Sequence, residues 1–178
     1  MEPLRAREAA RPVPGLVVLA DPAALAQEAA ERFAGIAAKA LARAGRFTVA
    51  LTGGSTPKRL YTLLAAEPYR SRLPWPETHV FWGDERCVPP DHPESNYRMA
   101  HDALLRHLPI PPAQIHRMHG EDPDPERAAA EYEQCLRTVF APRAGTLPRF
   151  DLVLLGMGAD GHTASLFPHT GALREQQR

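Results

Sequence analysis

The sequence predicts an α/β fold in which a mostly parallel, Rossmann-like sheet forms the middle of three layers, with helices on both faces. Two observations predict it. Short apolar segments with strand character alternate with longer segments that begin and end at helix-capping residues. The loops after three of these apolar segments contain glycines and polar side chains, as expected where ligands bind at the carboxyl edge of a parallel sheet.

The elements follow in order from periodicity and capping residues. Asp21 and Pro22 are typical of a helix start, and Gly45 is typical of the position after a helix. Strands are expected at residues 16–20, 47–51, 79–82 and 152–155, with a weak one at 115–118. Helices are expected from residue 22 to about 44, after the 52–57 turn to 64, and at 95–105 and 125–140.

Length and composition indicate one domain. The chain has 178 residues, of which 44% are hydrophobic, enough for a single core. We assign residues 1–14 to an N-terminal lead-in and residues 15–178 to the α/β domain. The 21 basic and 21 acidic side chains cancel, so neither a nucleic-acid nor a membrane partner is predicted. The chain has no signal-peptide pattern and only two cysteines, so we expect a cytoplasmic protein. We also expect a monomer or weak homodimer that binds a small molecule.

The segment 151–162, with the sequence DLVLLGMGADGH, is the most informative part of the chain. Its apolar run at 152–155 is typical of a strand buried on both faces of a parallel sheet. Glycines then present Asp160 and His162, and they allow positive φ and close approach to a ligand. Because imidazole titrates near neutral pH, His162 is a candidate general base.

Two further loops should lie at the same edge of the sheet. The first, TGGSTP at 52–57, places two glycines and two hydroxyls at a helix start, where backbone N–H groups favour an anion such as phosphate. The second, WGDER at 82–86, places Asp84, Glu85 and Arg86 just beyond a strand. Arginine suits phosphate or carboxylate, and a carboxylate can act as a base or orient a hydroxyl. A local Glu85–Arg86 ion pair on an exposed loop would explain the same residues.

Several other classes of site are not supported. The G-x-G-x-x-G match at 156–161 lacks the helix and the later acidic residue of a dinucleotide site. The first loop lacks a Walker A lysine, and Ser55 is not in a G-x-S-x-G elbow. His116 and His119 have ligand-like spacing without nearby partners, so we expect surface residues and no metal. Phosphate binding with proton transfer by histidine remains, and no cofactor is expected.

Taken together, the three loops closely resemble those of the 6-phosphogluconolactonases, in the wider family that also contains glucosamine-6-phosphate isomerase (deaminase). The matching motifs are LTGGSTP at 51–57, WGDERCVP at 82–89 with SNY at 95–97, and LGMGADGHTASLFP at 155–168. The resemblance covers roughly residues 16–170. It implies hydrolysis of 6-phospho-glucono-1,5-lactone to 6-phosphogluconate in the oxidative pentose phosphate pathway.

The resemblance also implies roles for individual residues. His162 would be the general base, Arg86 would pair with the phosphate, and Asp160 or Asp84 would orient the imidazole or a sugar hydroxyl. The expected substrate-binding residues are Gly53, Gly54, Ser55, Thr56, Arg86, Asn96 and Gly158.

Two alternatives stay open. The deaminase branch carries a glutamate where this chain has Phe167, which favours the lactonase. The other alternative is a non-catalytic sugar-phosphate binder. Members of the family continue well past the histidine loop, whereas this chain stops at Arg178. We therefore expect a C-terminally truncated domain that lacks the last strands, exposes an apolar edge, and has reduced stability and affinity.

Overall fold

The computed structural model describes residues 15–176, so the expected lead-in at residues 1–14 lies outside the described residues. The helices are α1 (Pro22–Ala44), α2 (Ser55–Leu64), α3 (Tyr69–Arg72), α4 (Asn96–Ala103) and α5 (Pro125–Phe140). The strands are β1 (Phe47–Leu51), β2 (Thr78–Trp82) and β3 (Leu152–Val153). Within this part of the chain, no helix is long and apolar enough to cross a membrane.

The three strands form a parallel sheet with the order β2-β1-β3. On one face, Val49 and Leu51 of β1 belong to a buried core that also contains Phe33 of α1 and Leu60 of α2. On the other face, the ring centroid of Phe81 lies 5.4 Å from that of Phe140 in α5. Helices therefore cover both faces, and the predicted three-layer α/β architecture is confirmed.

Local capping explains where α1 begins and ends. The Asp21 carboxylate accepts hydrogen bonds of 2.8 Å from the amides of Ala23 and Ala24. At the other end, Gly45 has a φ of 67° and donates its N–H to the Leu41 carbonyl. Both boundaries agree with the sequence-based prediction.

Of the predicted strands, one is absent and another is reduced to a single bridge. Residues 16–20 form no strand, and Leu16 and Val18 are 64% and 83% exposed. A strand needs a hydrogen-bonding partner, and within residues 15–176 this segment has none in the sheet. The segment 115–118 contributes only a single parallel bridge, between Ile115 and Val80.

The strand expected at residues 152–155 is shorter and less buried than predicted. Only Leu152 and Val153 pair with β1, although the Leu154 amide still donates to the Ala50 carbonyl. Val153 and Leu155 are 45% and 61% exposed, so the strand is not buried on both faces. Periodicity cannot distinguish an edge strand from a central one, because neighbouring strands decide that. The expected exposed apolar edge is present here.

Candidate active site

The three glycine-containing loops meet in one open cleft of about 280 Å³ at the carboxyl edge of the sheet. This volume is close to the lower end of the range for small-molecule pockets, about 300 Å³. The lining residues are Thr52, Gly53, Gly54, Ser55, Thr56, Pro57, Asp84, Arg86, Asn96, Gly156, Met157, Gly158, His162 and Ala164. Of the predicted site residues, only Asp160 does not line the cleft, and it contacts His162 from behind.

The first loop leaves the most buried strand and starts a helix. Thr52 follows β1, and its backbone N–H and C=O both hydrogen bond to the buried Tyr61 hydroxyl, at 3.0 and 2.9 Å. Burial raises the pKa of this phenol, so it stays protonated and can donate. Gly54 then adopts a φ of 107°, which favours glycine, and precedes α2 without any side-chain cap. The amides of Ser55 and Thr56 therefore begin α2 without intrahelical acceptors, and both residues line the cleft.

The second loop supplies a cation. Arg86 lines the cleft, is exposed, and makes no ion pair among the described residues. The alternative explanation, a local Glu85–Arg86 ion pair, is not what the structure shows, because the Glu85 carboxylate accepts from the backbone amides of Asn96 and Tyr97. The Arg86 guanidinium is therefore free to meet an anion held at the start of α2.

Asp84 and Asn96 connect the loops to one another. The Asn96 side chain donates to the Asp84 backbone carbonyl at 3.1 Å, and it packs so closely on Gly53 that a Cβ there would overlap its Oδ1. The Asp84 carboxylate accepts from the Ser165 hydroxyl at 2.8 Å. Asp84 therefore joins the second loop to the third and does not touch His162.

His162 is held on two sides. Its Nδ1 lies 2.6 Å from Oδ1 of Asp160, and its ring stacks on Phe167 with a centroid separation of 4.4 Å. The same hydrogen bond holds the pKa of the Asp160 carboxyl below its usual value, so this group is ionised at neutral pH. In the tautomer whose Nδ1 donates to this carboxylate, Nε2 is the proton acceptor. Of the two candidates, Asp160 and not Asp84 hydrogen bonds to the imidazole.

The glycines of the third loop differ in what they do. Only Gly161 has positive φ, whereas Gly158 provides space, since a Cβ there would overlap the His162 ring and lie 2.8 Å from Asp160 Oδ1. Gly156 has open space around its Cβ position. The expectation of positive φ therefore holds for one of the three, and close approach explains a second.

The histidines outside the cleft also differ from expectation. His119 is exposed beside Glu131, as predicted for a surface residue. His116 is half-buried instead: its ring stacks on Phe81 at 4.4 Å and its Nε2 lies 3.1 Å from His79 Nδ1. Across residues 15–176, no cluster of three or more His, Cys, Asp or Glu side chains could hold a metal.

Sequence reasoning missed four residues that support the site. Two tyrosine hydroxyls fix the ends of strands, Tyr61 at Thr52 and Tyr132 at Trp82, where it both donates and accepts at 3.0 Å. The others are Ser165 and Glu85, which the sequence placed on the second loop without indicating its contacts with α4. Each pairs with a group at least nine residues away, so no local pattern could have indicated them.

Comparison with known proteins places this cleft in a family. The family model described as glucosamine-6-phosphate isomerases/6-phosphogluconolactonase matches residues 20–178. A 6-phosphogluconolactonase of Nostoc sp. is 54% identical over 139 residues, which cover 78% of this chain and 56% of the relative. One from Synechocystis sp. is 57% identical over 135 residues, covering 76% and 55%. The chain spans about half the length of the curated relatives that it matches.

Solved structures agree with the fold. The 6-phosphogluconolactonase from Trypanosoma cruzi superposes with a TM-score of 0.75 at 34% identity, covering 88% of this chain and 63% of that one. The enzyme from Leishmania guyanensis gives 0.78 at 30% identity, covering 93% and 68%. A monomeric glucosamine-6-phosphate deaminase gives 0.67 at 23% identity, which is a likeness of fold alone.

Proposed function

The chain belongs to the family of glucosamine-6-phosphate isomerases and 6-phosphogluconolactonases, and on that premise we propose that it hydrolyses 6-phospho-glucono-1,5-lactone to 6-phosphogluconate. The observation that carries the proposal is that an imidazole hydrogen-bonded to a carboxylate shares one cleft with an uncapped helix N-terminus and an arginine that makes no ion pair within residues 15–176. A phosphorylated lactone needs both kinds of partner, one for each end of the molecule. The lactonase relatives from Nostoc and Synechocystis support the same substrate.

The phosphate is assigned to the first and second loops. The N–H groups of Ser55 and Thr56 and the positive end of the α2 dipole attract the dianion, and Arg86 supplies a full positive charge. Gly54 leaves this end of α2 open, because it has no side chain that could cap the amides. Charge-assisted hydrogen bonds of this kind are about twice as strong as neutral ones. They would hold the substrate with its lactone carbonyl toward the third loop.

The hydrolysis is assigned to His162. Its Nε2 takes a proton from water as the water oxygen attacks the lactone carbonyl carbon, which gives a tetrahedral intermediate. The bond from that carbon to the ring oxygen then breaks, and the ring oxygen takes the proton back from Nε2 to become a hydroxyl. Loop N–H groups at the cleft stabilise the oxyanion, while Asp160 holds the imidazolium through Nδ1. The product acid loses its proton to solvent.

The alternative activity within the family is isomerisation and deamination of glucosamine 6-phosphate. Ring opening of an amino sugar needs additional proton transfer. The position expected to carry a glutamate for that purpose is Phe167, whose ring stacks on His162 and offers no proton-transfer group. This contact favours the lactonase.

The test is lactone hydrolysis by the purified chain, measured by release of 6-phosphogluconate and corrected for spontaneous opening. We expect a rate above background that His162→Ala lowers by about 10²–10⁴-fold. Deamination of glucosamine 6-phosphate is assayed in parallel, and no turnover is expected. A matched control is His119→Ala, which removes an imidazole whose Nδ1 also lies beside a carboxylate, at 3.3 Å from Glu131, but outside the cleft.

Two results would contradict the proposal. Equal rates for the wild-type chain and His162→Ala would remove His162 from the chemistry. Binding of 6-phosphogluconate without any turnover would instead make the chain a non-catalytic sugar-phosphate binder.

A further inference from the structure

The first residues of two helices line the same cleft. Ser55 begins α2 and Asn96 begins α4, and both line the cleft. The first amides of each helix lack intrahelical acceptors, so each end attracts an anion. A substrate phosphate could therefore bind in two places, and only one of them would put the lactone carbonyl at His162.

The N-terminus of α4 is already occupied by a carboxylate from within the chain. Oε1 of Glu85 accepts from the Asn96 amide at 2.7 Å, and Oε2 accepts from the Tyr97 amide at 2.8 Å. The same carboxylate accepts from the Ser95 hydroxyl at 3.1 Å and from the Arg86 amide at 2.7 Å. Four donors thus converge on one side chain, which leaves the α4 amides no capacity for a second anion.

The contacts of Glu85 also set its two neighbours in the sequence. Asp84 and Arg86 both line the cleft, and the residue between them is tied to α4 by two backbone amides. The Asn96 side chain adds a second tie by donating to the Asp84 carbonyl. The direction of the Arg86 side chain therefore depends on the hydrogen bonds between the Glu85 carboxylate and the α4 amides.

We infer that Glu85 is a positioning residue that closes the N-terminus of α4 to phosphate and directs the substrate phosphate to α2 and Arg86. The inference rests on the proposed lactonase function for its substrate, but its structural part concerns anion binding alone. Replacing the carboxylate by a neutral amide removes the negative charge and one of the two acceptor oxygens, which frees an α4 amide for phosphate and loosens Arg86. Substrate affinity then falls while the reacting groups at His162 stay in place.

The experiment compares Glu85→Gln with Asp124→Asn. Asp124 is a matched control because its carboxylate also caps a helix, accepting from the Glu126 and Arg127 amides at the start of α5. It does not line the cleft, so its loss costs a similar helix cap without touching the site. For Glu85→Gln we expect KM for the lactone and Kd for 6-phosphogluconate to rise about tenfold, with kcat changed less than about threefold. Asp124→Asn should leave all three unchanged.

A titration with inorganic phosphate, followed by NMR of the backbone amides, tests the direction of binding. The Tyr97 amide should shift with phosphate in Glu85→Gln and not in the wild-type chain. The inference is overturned if Tyr97 responds in the wild-type chain, if it does not respond in the variant, or if both variants weaken binding equally. A wild-type chain without turnover defeats the proposed function alone, since Kd and the phosphate titration still decide the role of Glu85.

Discussion

The two halves of the cleft rest on strands of different quality. The half that we propose binds phosphate follows β1 and β2. All five residues of β1 are buried and pair with β2, and the Tyr61 hydroxyl hydrogen bonds to Thr52 directly after β1. The histidine half follows β3, where two residues pair and Val153 is 45% exposed. The binding half is therefore held by the core, whereas the geometry of His162 depends on contacts within its own loop. Changes in the core should lower stability, and changes in the third loop should lower turnover.

The largest effect on stability is expected from Leu51→Ala in β1. Leu51 is fully buried in the core, so the truncation should lower the free energy of unfolding by about 2–5 kcal/mol. The matched change is Leu155→Ala, just after β3. The Leu155 side chain is 61% exposed, so its truncation should lower the free energy of unfolding by no more than about 0.5 kcal/mol. Urea denaturation of both variants measures the difference. Similar losses in the two would show that β3 is as well packed as β1.

After His162→Ala, the largest effect on turnover without loss of the fold is expected from Gly158→Ala. The new Cβ would overlap the His162 ring and displace it from Asp160, and such a misplacement costs about 100-fold in kcat. Binding of 6-phosphogluconate should be kept, because the residues proposed to bind phosphate lie in the other half of the cleft. Gly156→Ala is the control, since its Cβ would enter open space. Steady-state kinetics that give the two variants equal kcat would contradict the close contact at Gly158.

A smaller effect, on both stability and binding, is expected from Gly53→Ala. Its Cβ would overlap Oδ1 of the buried Asn96, and relief of that overlap should cost about 1–3 kcal/mol. The movement of Asn96 would also disturb its hydrogen bond to Asp84 and raise Kd for 6-phosphogluconate. Gly83→Ala is the control, because its Cβ would meet Leu51 O at an ordinary 3.7 Å. Calorimetry and a binding titration on the pair measure both effects, and identical values for the two variants would argue against the Asn96 contact.

Residues close together in the sequence were enough to predict the features that local interactions determine. The caps of α1, the limits of β1 and the convergence of three loops at one edge all followed from residues adjacent in the sequence. What the sequence left open depends on partners far along the chain. Residues 16–20 have strand-like composition but no neighbouring strand, and Glu85 meets amides eleven and twelve residues away.

The contacts of two aspartates and one histidine also depend on residues that the local sequence does not identify. The sequence could not decide whether Asp84 or Asp160 supports His162, because both sit on loops at the same edge of the sheet. The structure places Asp160 on the imidazole and Asp84 on Ser165. His116 was expected on the surface because no Cys or acidic partner is near it in the sequence. In the structure it is half-buried, since its ring stacks on Phe81 of β2 and its Nδ1 lies 3.5 Å from Cys135 Sγ of α5.

The last predicted effect is a pH dependence of stability that comes from the His116 imidazole, outside the cleft. Burial, with a smaller contribution from His79, lowers the pKa of His116 to about 4. The unfolded chain takes up this proton near pH 6.5, before the folded chain does. Stability from this group is therefore present above about pH 6.5 and is lost as the pH falls toward 4. The melting temperature of the wild-type chain should fall across that interval, and His116→Asn should flatten the fall. The control is His119→Asn, at an exposed imidazole, which should leave the slope of melting temperature against pH unchanged. An unchanged slope in His116→Asn would assign the pH dependence to other groups.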